Sequence, residues 1–564
     1  MGKLKKRSRS AKLAAQRKPG ASKDDKEFQK IAPLLDKLKS DAVNDRSMAV
    51  GAINTLCDTD PEIRKLFLKN DLVRTVLTRL VHDSSDEVVV ESFGLLRNLI
   101  IEEGYDLSVF LWRSDIWTVL EDAFKKASVS IEHVKEDKVS AEQRGLLFDY
   151  IDNIIACLGS LCLEISTDMF HSDVLPKLVS NDILKFIIVL IERNYTKKAT
   201  LSALEFLYDL STISAPFIEA FSQDENIKQI LSGLNLSNDL SKVYLIGLHF
   251  QTLEFSNGLD DNQTIQVADN LLAVTNKVSE ENSRAESSIK VYELVLDIFA
   301  TIAEIKGQQE PVNTKISGLF ESHVVPFLRV VFELANVKVL QCLTNILCFY
   351  RNEAPESVVE LVNSIRPAVL QQLSQKLEEP DLETINLYLG YLEVSSEITS
   401  ADKLRPLAEV LLKFAFQLGE ITPVSAQITG HLLHILTKIG KHSDDLELTT
   451  SITKFIVDKN FVEPITYYNS TRLGELRKKH QYLIETVLVD STNSIFDLFD
   501  DDYPYNKPIY HEGGLHQLLK DNLPYYKKIY KAIDKNSEPQ LKVLYEEAFQ
   551  NLERFIQYKE GEAK

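Results

Sequence analysis

The sequence predicts an all-α chain: an armadillo/HEAT-repeat α-solenoid superhelix behind a disordered basic N-terminal tail. Three observations carry that expectation. Apolar residues recur with helical periodicity from about Phe28 onward, and no alternating strand runs interrupt them. Glycine (20) and proline (17) are scarce in 564 residues, which argues against a chain of tight β-turns. The length exceeds what one compact core holds. Helix pairs instead recur at roughly 40–60 residues, each with an apolar flank that only its neighbours can cover.

The elements follow in order. Residues 1–25 are polar and basic without apolar period, and are read as disordered. Asp71–Val81 sets Leu72, Val73, Val76, Leu77 and Leu80 on one stripe, as a core-facing helix requires. Ser84–Ile100 follows after a short turn, with Ser85 or Asp86 as its cap and Val89, Phe93, Leu96 and Leu99 on its buried side. This two-step unit recurs over Leu147–Ile165, Ile183–Asn194, Leu201–Thr212 and Ser241–Ser256, then over Val291–Ile305, Val324–Tyr350 and Ile428–Gly440. The expected divisions are a tail (1–25), armadillo-like repeats (26–256), a linker with a short acidic-polar loop (257–290) and HEAT-like repeats (291–564).

Ser84–Leu99 reads as an armadillo repeat: a capped start, Gly94 where helices pack closely, and the close Leu96-Arg97-Asn98-Leu99. In such repeats the third helix lines a groove, and a polar residue beside the buried leucine can hydrogen-bond an extended peptide. The corresponding positions are Ser160 in Leu158-Gly159-Ser160-Leu161 and Asp209 in Leu207-Tyr208-Asp209-Leu210, with Glu205 one turn before Asp209. Asn98, Ser160, Glu205 and Asp209 are therefore the candidate peptide groove. The plain alternative is a set of exposed polar residues on amphipathic helices.

Charge is divided unevenly. The first 23 residues carry nine Lys/Arg and no acid, yet the net charge is −19, leaving 55 basic against 83 acidic residues in the other 541. Lys3, Lys5, Lys6, Arg7, Arg9, Lys12, Arg17 and Lys18 form a flexible import signal suited to an acidic receptor groove. Nonspecific attraction to RNA is the other reading of the same charges. A proline–tyrosine signal is incomplete, because Arg17-Lys18-Pro19 is followed by Gly20. Lys520–Tyr525 (KDNLPY) matches the short pattern but sits in an apolar helical stretch where Tyr525 and Ile529 are expected to pack. The acidic body opposes nucleic-acid binding and offers a surface to basic partners.

The motifs of catalysis are missing: GxxxxGKS/T, GxGxxG and GxSxG do not occur. His431 and His434 lie one turn apart without a third ligand in their stretch, so they are assigned to core or surface rather than to a metal. Asp500, Asp501 and Asp502 lack the order of an EF-hand and are read as a solvated acidic corner that can contact a basic partner. No catalytic, cofactor-binding or metal-ligating residue is assigned. The five cysteines are odd in number and lack zinc spacing, which points to reduced core thiols of a cytosolic or nuclear protein. No apolar run reaches the roughly 18 residues of a membrane span. The N-terminus fits neither a secretory signal nor, with Lys6 in place of Ser/Thr, a myristoylation site.

Together MGKLKKRSRS (Met1–Ser10), DEVVVESFGLLRNL (Asp86–Leu99), LPYYKKIYKAIDKN (Leu523–Asn536) and FQNLERFIQYKE (Phe549–Glu560) resemble the symportin family of synchronized-import adaptors. The block Asn551-Leu552-Glu553-Arg554-Phe555-Ile556-x-Tyr558 is the most specific piece, and the middle of the chain matches in architecture only. The resemblance implies a monomeric armadillo/HEAT protein without cofactor or enzymatic activity, shuttling between cytoplasm and nucleus without a membrane or direct nucleic-acid contact. It implies a karyopherin-β-type import receptor that reads the basic N-terminus. It also implies two basic 5S-RNA-binding ribosomal proteins of the large subunit as clients, chaperoned until they join that RNA. In the family the armadillo groove takes the N-terminal peptide of one client, and the HEAT part with an acidic loop takes the other. This chain departs twice: the Pro-Tyr is absent, and the acidic loop is reduced to about Ser279–Ser288. The competing readings are a general armadillo/HEAT scaffold or import receptor for other basic clients and, more distantly, a hydrolase or transferase with converging ionisable groups in a polar pocket.

Overall fold

The computed structural model describes residues 23–562 except 135–138, 223–229, 232, 235, 277–283, 309–311, 352, 379–380, 399–402, 420, 471–477 and 502. The basic lead, Lys3 to Lys18, lies outside the described residues, as does Asp502. Every regular element among the described residues is helical, and the fold is an all-α solenoid. The chain divides into two compact units, Met1–Val278 and Ser279–Lys564.

In the first unit one row of helices packs successively: α2 (Val43–Thr59), α5 (Asp86–Arg113), α7 (Ala141–Glu164), α9 (Lys197–Ile213) and α11 (Asp239–Asn257). A second row backs the first, with α4 (Leu72–Thr78) on α5, α6 (Ile116–Glu132) on α7, α8 (Ile183–Arg193) on α9 and α10 (Ala215–Ser222) on α11. α1 (Lys23–Lys37) and α3 (Pro61–Lys69) close the N-terminal end against α2. The stripe expected of Asp71–Val81 is buried throughout, from Leu72 to Leu80.

α5 starts where expected but runs beyond Ile100 to Arg113, across a break at Gly104 (φ 61°, ψ −137°), a left-handed conformation that glycine adopts without penalty. Ser85 occupies its N-cap without a side-chain cap; Asp83 instead accepts from the Ser85 N–H at 2.9 Å. Gly94 does mark a close approach: a Cβ there would stand 3.3 Å from Asn153 Nδ2 on α7, whose amide donates to the Val90 carbonyl at 3.0 Å. α7 opens on a capping box between Ser140 and Gln143. Contrary to the sequence expectation, α7 is long and apolar enough by length and composition to cross a membrane. Here Ile151, Ile154, Ile155, Leu158 and Leu161 are buried in the core that α5, α7 and α9 share. Within residues 257–290, read as a linker, a capping box between Asp260 and Gln263 starts α12 (Asp261–Thr275), which packs on α11. Of the short acidic loop, residues 279–283 lie outside the described residues.

In the second unit α13 (Glu286–Gly307), α14 (Asn336–Tyr350), α16 (Leu382–Glu397), α18 (Pro423–Lys441), α19 (Lys478–Leu498) and α21 (Pro539–Glu562) pack in succession. α15 (Glu356–Glu378) backs α16, α17 (Ala408–Gln417) backs α18, and α20 (Leu515–Ala532) packs on α21. Two expectations are corrected here. Lys520–Tyr525 is helical within α20, and Ile529 is fully buried as expected, but Tyr525, at the edge of the same stripe, is 52% exposed while the neighbouring Tyr526 packs in the core. Cys348, near the end of α14, faces solvent; only Cys57, Cys157, Cys162 and Cys342 are core thiols.

Candidate functional site

In the first unit the successive helices α2, α5, α7, α9 and α11 are tied by polar rungs. Asn98 on α5 donates through Nδ2 to Asn54 Oδ1 on α2 at 2.9 Å. Arg97 Nε donates to Asn98 Oδ1 at 3.0 Å, and Arg97 Nη1 lies 3.5 Å from Asn153 Oδ1 on α7. Lys198 on α9 pairs with Asp149 (2.7 Å) and Asp152 (3.0 Å) on α7, and Ser202 also donates to Asp152. Tyr244 on α11 donates its hydroxyl to Glu205 Oε1 at 2.9 Å, its ring 5.5 Å from that of Tyr208.

Asn98, Ser160 and Asp209 therefore do not form one hydrogen-bonded row. Asn98 is engaged with α2 and with Arg97, and half-buried Ser160 joins none of the rungs. Glu205 and Asp209 do belong together, one turn apart on α9. Burial, and then the Glu205 charge, pushes the Asp209 carboxyl up to about 7. The basic groups of this face are already spent, Lys198 on two aspartates and Arg97 on two asparagines. Glu205 and Asp209 remain as a like-charged pair that a cation would relieve. Sequence reasoning missed Asn54, Asn153 and Tyr244. The available signal was an asparagine set beside a buried aliphatic residue, as in Ile53-Asn54, Asn98-Leu99 and Asn153-Ile154.

In the second unit α16, α18 and α19 enclose a cavity of about 640 Å³ lined by Glu393, His431, His434, Tyr482, Asp490 and Asp497, among others. His431 Nδ1 meets Glu393, and His434 Nε2 meets Glu397 at 3.0 Å. Burial alone would raise Glu397, but hydrogen bonds from Lys438 (2.7 Å) and His434 outweigh it and hold the carboxyl below the usual range. Asp490 has no such relief: burial, then Glu393, pushes it up to about 6 against the pull of His431. It lies close to α18: a Cβ at Gly430 would meet Asp490 Oδ2 at 3.4 Å, an ordinary van der Waals contact. Burial also raises Asp497, despite His434 and Lys441 nearby. The two histidines are thus carboxylate partners, and among the described residues no group of three His, Cys, Asp or Glu is arranged to hold a metal ion.

The acidic corner is corrected too. Asp500 pairs with Lys441, while Asp501 lies 3.6 Å from Lys559 and accepts from the Tyr558 hydroxyl at 3.0 Å. α18 and α21 bring a lysine to each carboxylate, but the Asp501 side chain stays 65% exposed.

Comparison with known proteins follows the same lines. Residues 308–563 match the family described as SYO1-like, TPR repeats. The chain is similar to Synchronized import protein 1 of Saccharomyces cerevisiae, 28% identical over 638 residues that cover 100% of this chain and 99% of that protein. It is also similar to the Armadillo repeat protein involved in nucleocytoplasmic transport Syo2 of Schizosaccharomyces pombe, 24% identical over 94% of each. Symportin 1 of Chaetomium thermophilum is 31% identical over 150 residues, 26% of this chain and 22% of that protein.

Proposed function

We propose a function from one premise: the chain belongs to the symportin, or synchronized-import, family. Its role lies in nuclear import. It acts as an adaptor and chaperone that binds newly made 5S-RNA-binding ribosomal proteins of the large subunit and delivers them to the nucleus. A karyopherin-β-type receptor reads the basic residues between Lys3 and Lys18. The first unit takes an extended basic peptide of one client over the face bearing Asn98, Ser160, Glu205 and Asp209. Asp501 adds weaker contacts for the second client.

The observation that supports this most is the Glu205/Asp209 pair, bonded by Tyr244 but met by no cation among the described residues, in a body of 83 acidic and 55 basic residues. A lysine or arginine set against that pair pulls the Asp209 proton off and gains a charge-assisted bond. Exposed pairs contribute only tenths of a kcal/mol each, so affinity comes from many acting together. 5S RNA, a denser polyanion, then competes for the same basic faces and releases the client.

The test is deletion of residues 1–23 in a fluorescently tagged chain. An adaptor loses nuclear entry and keeps its clients. Retained entry would favour the second reading, an import receptor or scaffold for other basic clients, for which the missing Pro-Tyr after Arg17-Lys18 speaks. Mass spectrometry of proteins co-purified with the intact chain identifies the clients directly.

A further inference from the structure

We propose that the cavity between α16, α18 and α19 is a receptor for a single arginine side chain from a basic protein partner. The proposal rests on the basic-client reading and adds to it one defined anchor point.

The walls are built for a cation. Glu393 on α16 faces Asp490 and Asp497 on α19 across a cavity of about 640 Å³, within the usual range of ligand sites. Of the carboxylates here, Glu397 is satisfied by Lys438 and His434, and Glu393 by His431, but no lysine or arginine pairs with Asp490 among the described residues. A second observation is independent of the acids. Ser494 also lines the cavity: the residue is 94% buried, and its hydroxyl opens onto the cavity rather than being sealed in the core without a partner. An open acceptor thus sits one turn from a carboxylate that burial leaves without a counter-charge. Tyr482, 40% exposed, lines the same cavity and offers a ring for a planar cation to stack on. Divergent acceptors with an aromatic face suit the flat five-donor guanidinium better than the compact ammonium of lysine.

The groups facing Asp490 set the pH response: Glu393 from α16, His431 from α18 and the Tyr526 hydroxyl from α20. The empty carboxyl is largely ionised at pH 7.5 and largely protonated at pH 5. Binding therefore strengthens as pH rises through about 6.

The test uses the full chain and a fluorescein-labelled hexa-arginine peptide, with anisotropy read at pH 7.5 and 150 mM salt. Asp490→Asn weakens binding about ten-fold, equal to about 1.4 kcal/mol, and a hexa-citrulline peptide does not bind. Asp497→Lys, at the solvent-open rim of the cavity, gives a loss at least as large and serves if Asp490→Asn lowers stability. A control change outside the cavity, Glu360→Gln, leaves affinity unaltered. If both cavity variants bind within two-fold of the unaltered chain, the arginine receptor is overturned while the basic-client reading stands. If the unaltered chain fails to bind hexa-arginine, both fall together.

Discussion

At the residue scale, the most telling side chains are those the fold leaves unbalanced. Asp209 is protonated in the folded chain up to about 7, well above its unfolded value near 4. Between those values the native state holds the extra proton. Its contribution to stability is therefore complete below pH 4 and is lost as pH rises through 7. Asp209→Asn raises Tm at pH 8, by about 2 °C or more, and leaves it nearly unchanged at pH 4; differential scanning calorimetry at the two pH values checks this. Arg366 is the opposite case. The residue is 5% exposed, Nη1 and Nη2 have no hydrogen-bond acceptor among the described residues, and burial lowers its pKa. A buried guanidinium without a partner costs free energy that an apolar side chain of similar length does not. Arg366→Met stabilises by about 1 kcal/mol or more, measured as a shift of the urea midpoint at constant slope.

At the scale of elements, helix contacts separate two glycines that look alike in sequence. At Gly94 the obstacle to a Cβ is the Asn153 side chain at 3.3 Å, which need give only a few tenths of an ångström and so stretches rather than loses its bond to the Val90 carbonyl. The helical gain of roughly 1 kcal/mol for alanine then offsets the crowding, and Gly94→Ala is close to neutral. At Gly307 the obstacle is the Phe349 Cα at 3.2 Å, so α13 and α14 themselves must separate. Gly307→Ala destabilises by about 1–3 kcal/mol, an order that urea unfolding of both variants tests. Much of the helical pattern was legible in the sequence, because stripes such as Leu72 to Leu80 and Ile151 to Leu161 report burial directly. The continuation of α5 was not, since the helix breaks at Gly104 and a second helical stretch runs from there to Arg113, burying Leu107 and Leu111. The cavity in the second unit was invisible for a different reason. Glu393, His431 and Asp490 come from three helices and meet only in the tertiary fold, whereas His431 and His434 alone resembled half of a metal site. Likewise Glu205 and Asp209 were recognisable by position, but the raised pKa of Asp209 depends on burial, which spacing does not report.

At the scale of the whole molecule, charge sets the conditions under which the chain works. With −19 overall and nine of its 64 basic residues in the first 23, the body is strongly acidic, and on the function proposed above it holds cationic clients through many weak, screened contacts. Raising salt from 0.05 to 0.5 M shortens the Debye length from about 14 Å to about 4 Å. Client affinity should fall at least about ten-fold over that range, and anisotropy with a basic client peptide measures it. The exposure of a single thiol has a practical consequence. Four of the five cysteines are buried in the apolar core, and Cys348 alone is exposed, although burial and then Glu393 raise its thiol too, so that labelling there needs mildly alkaline buffer. A maleimide dye therefore attaches at one place in the unmodified chain, and its fluorescence can follow loading and unloading of passengers in real time without any engineered handle.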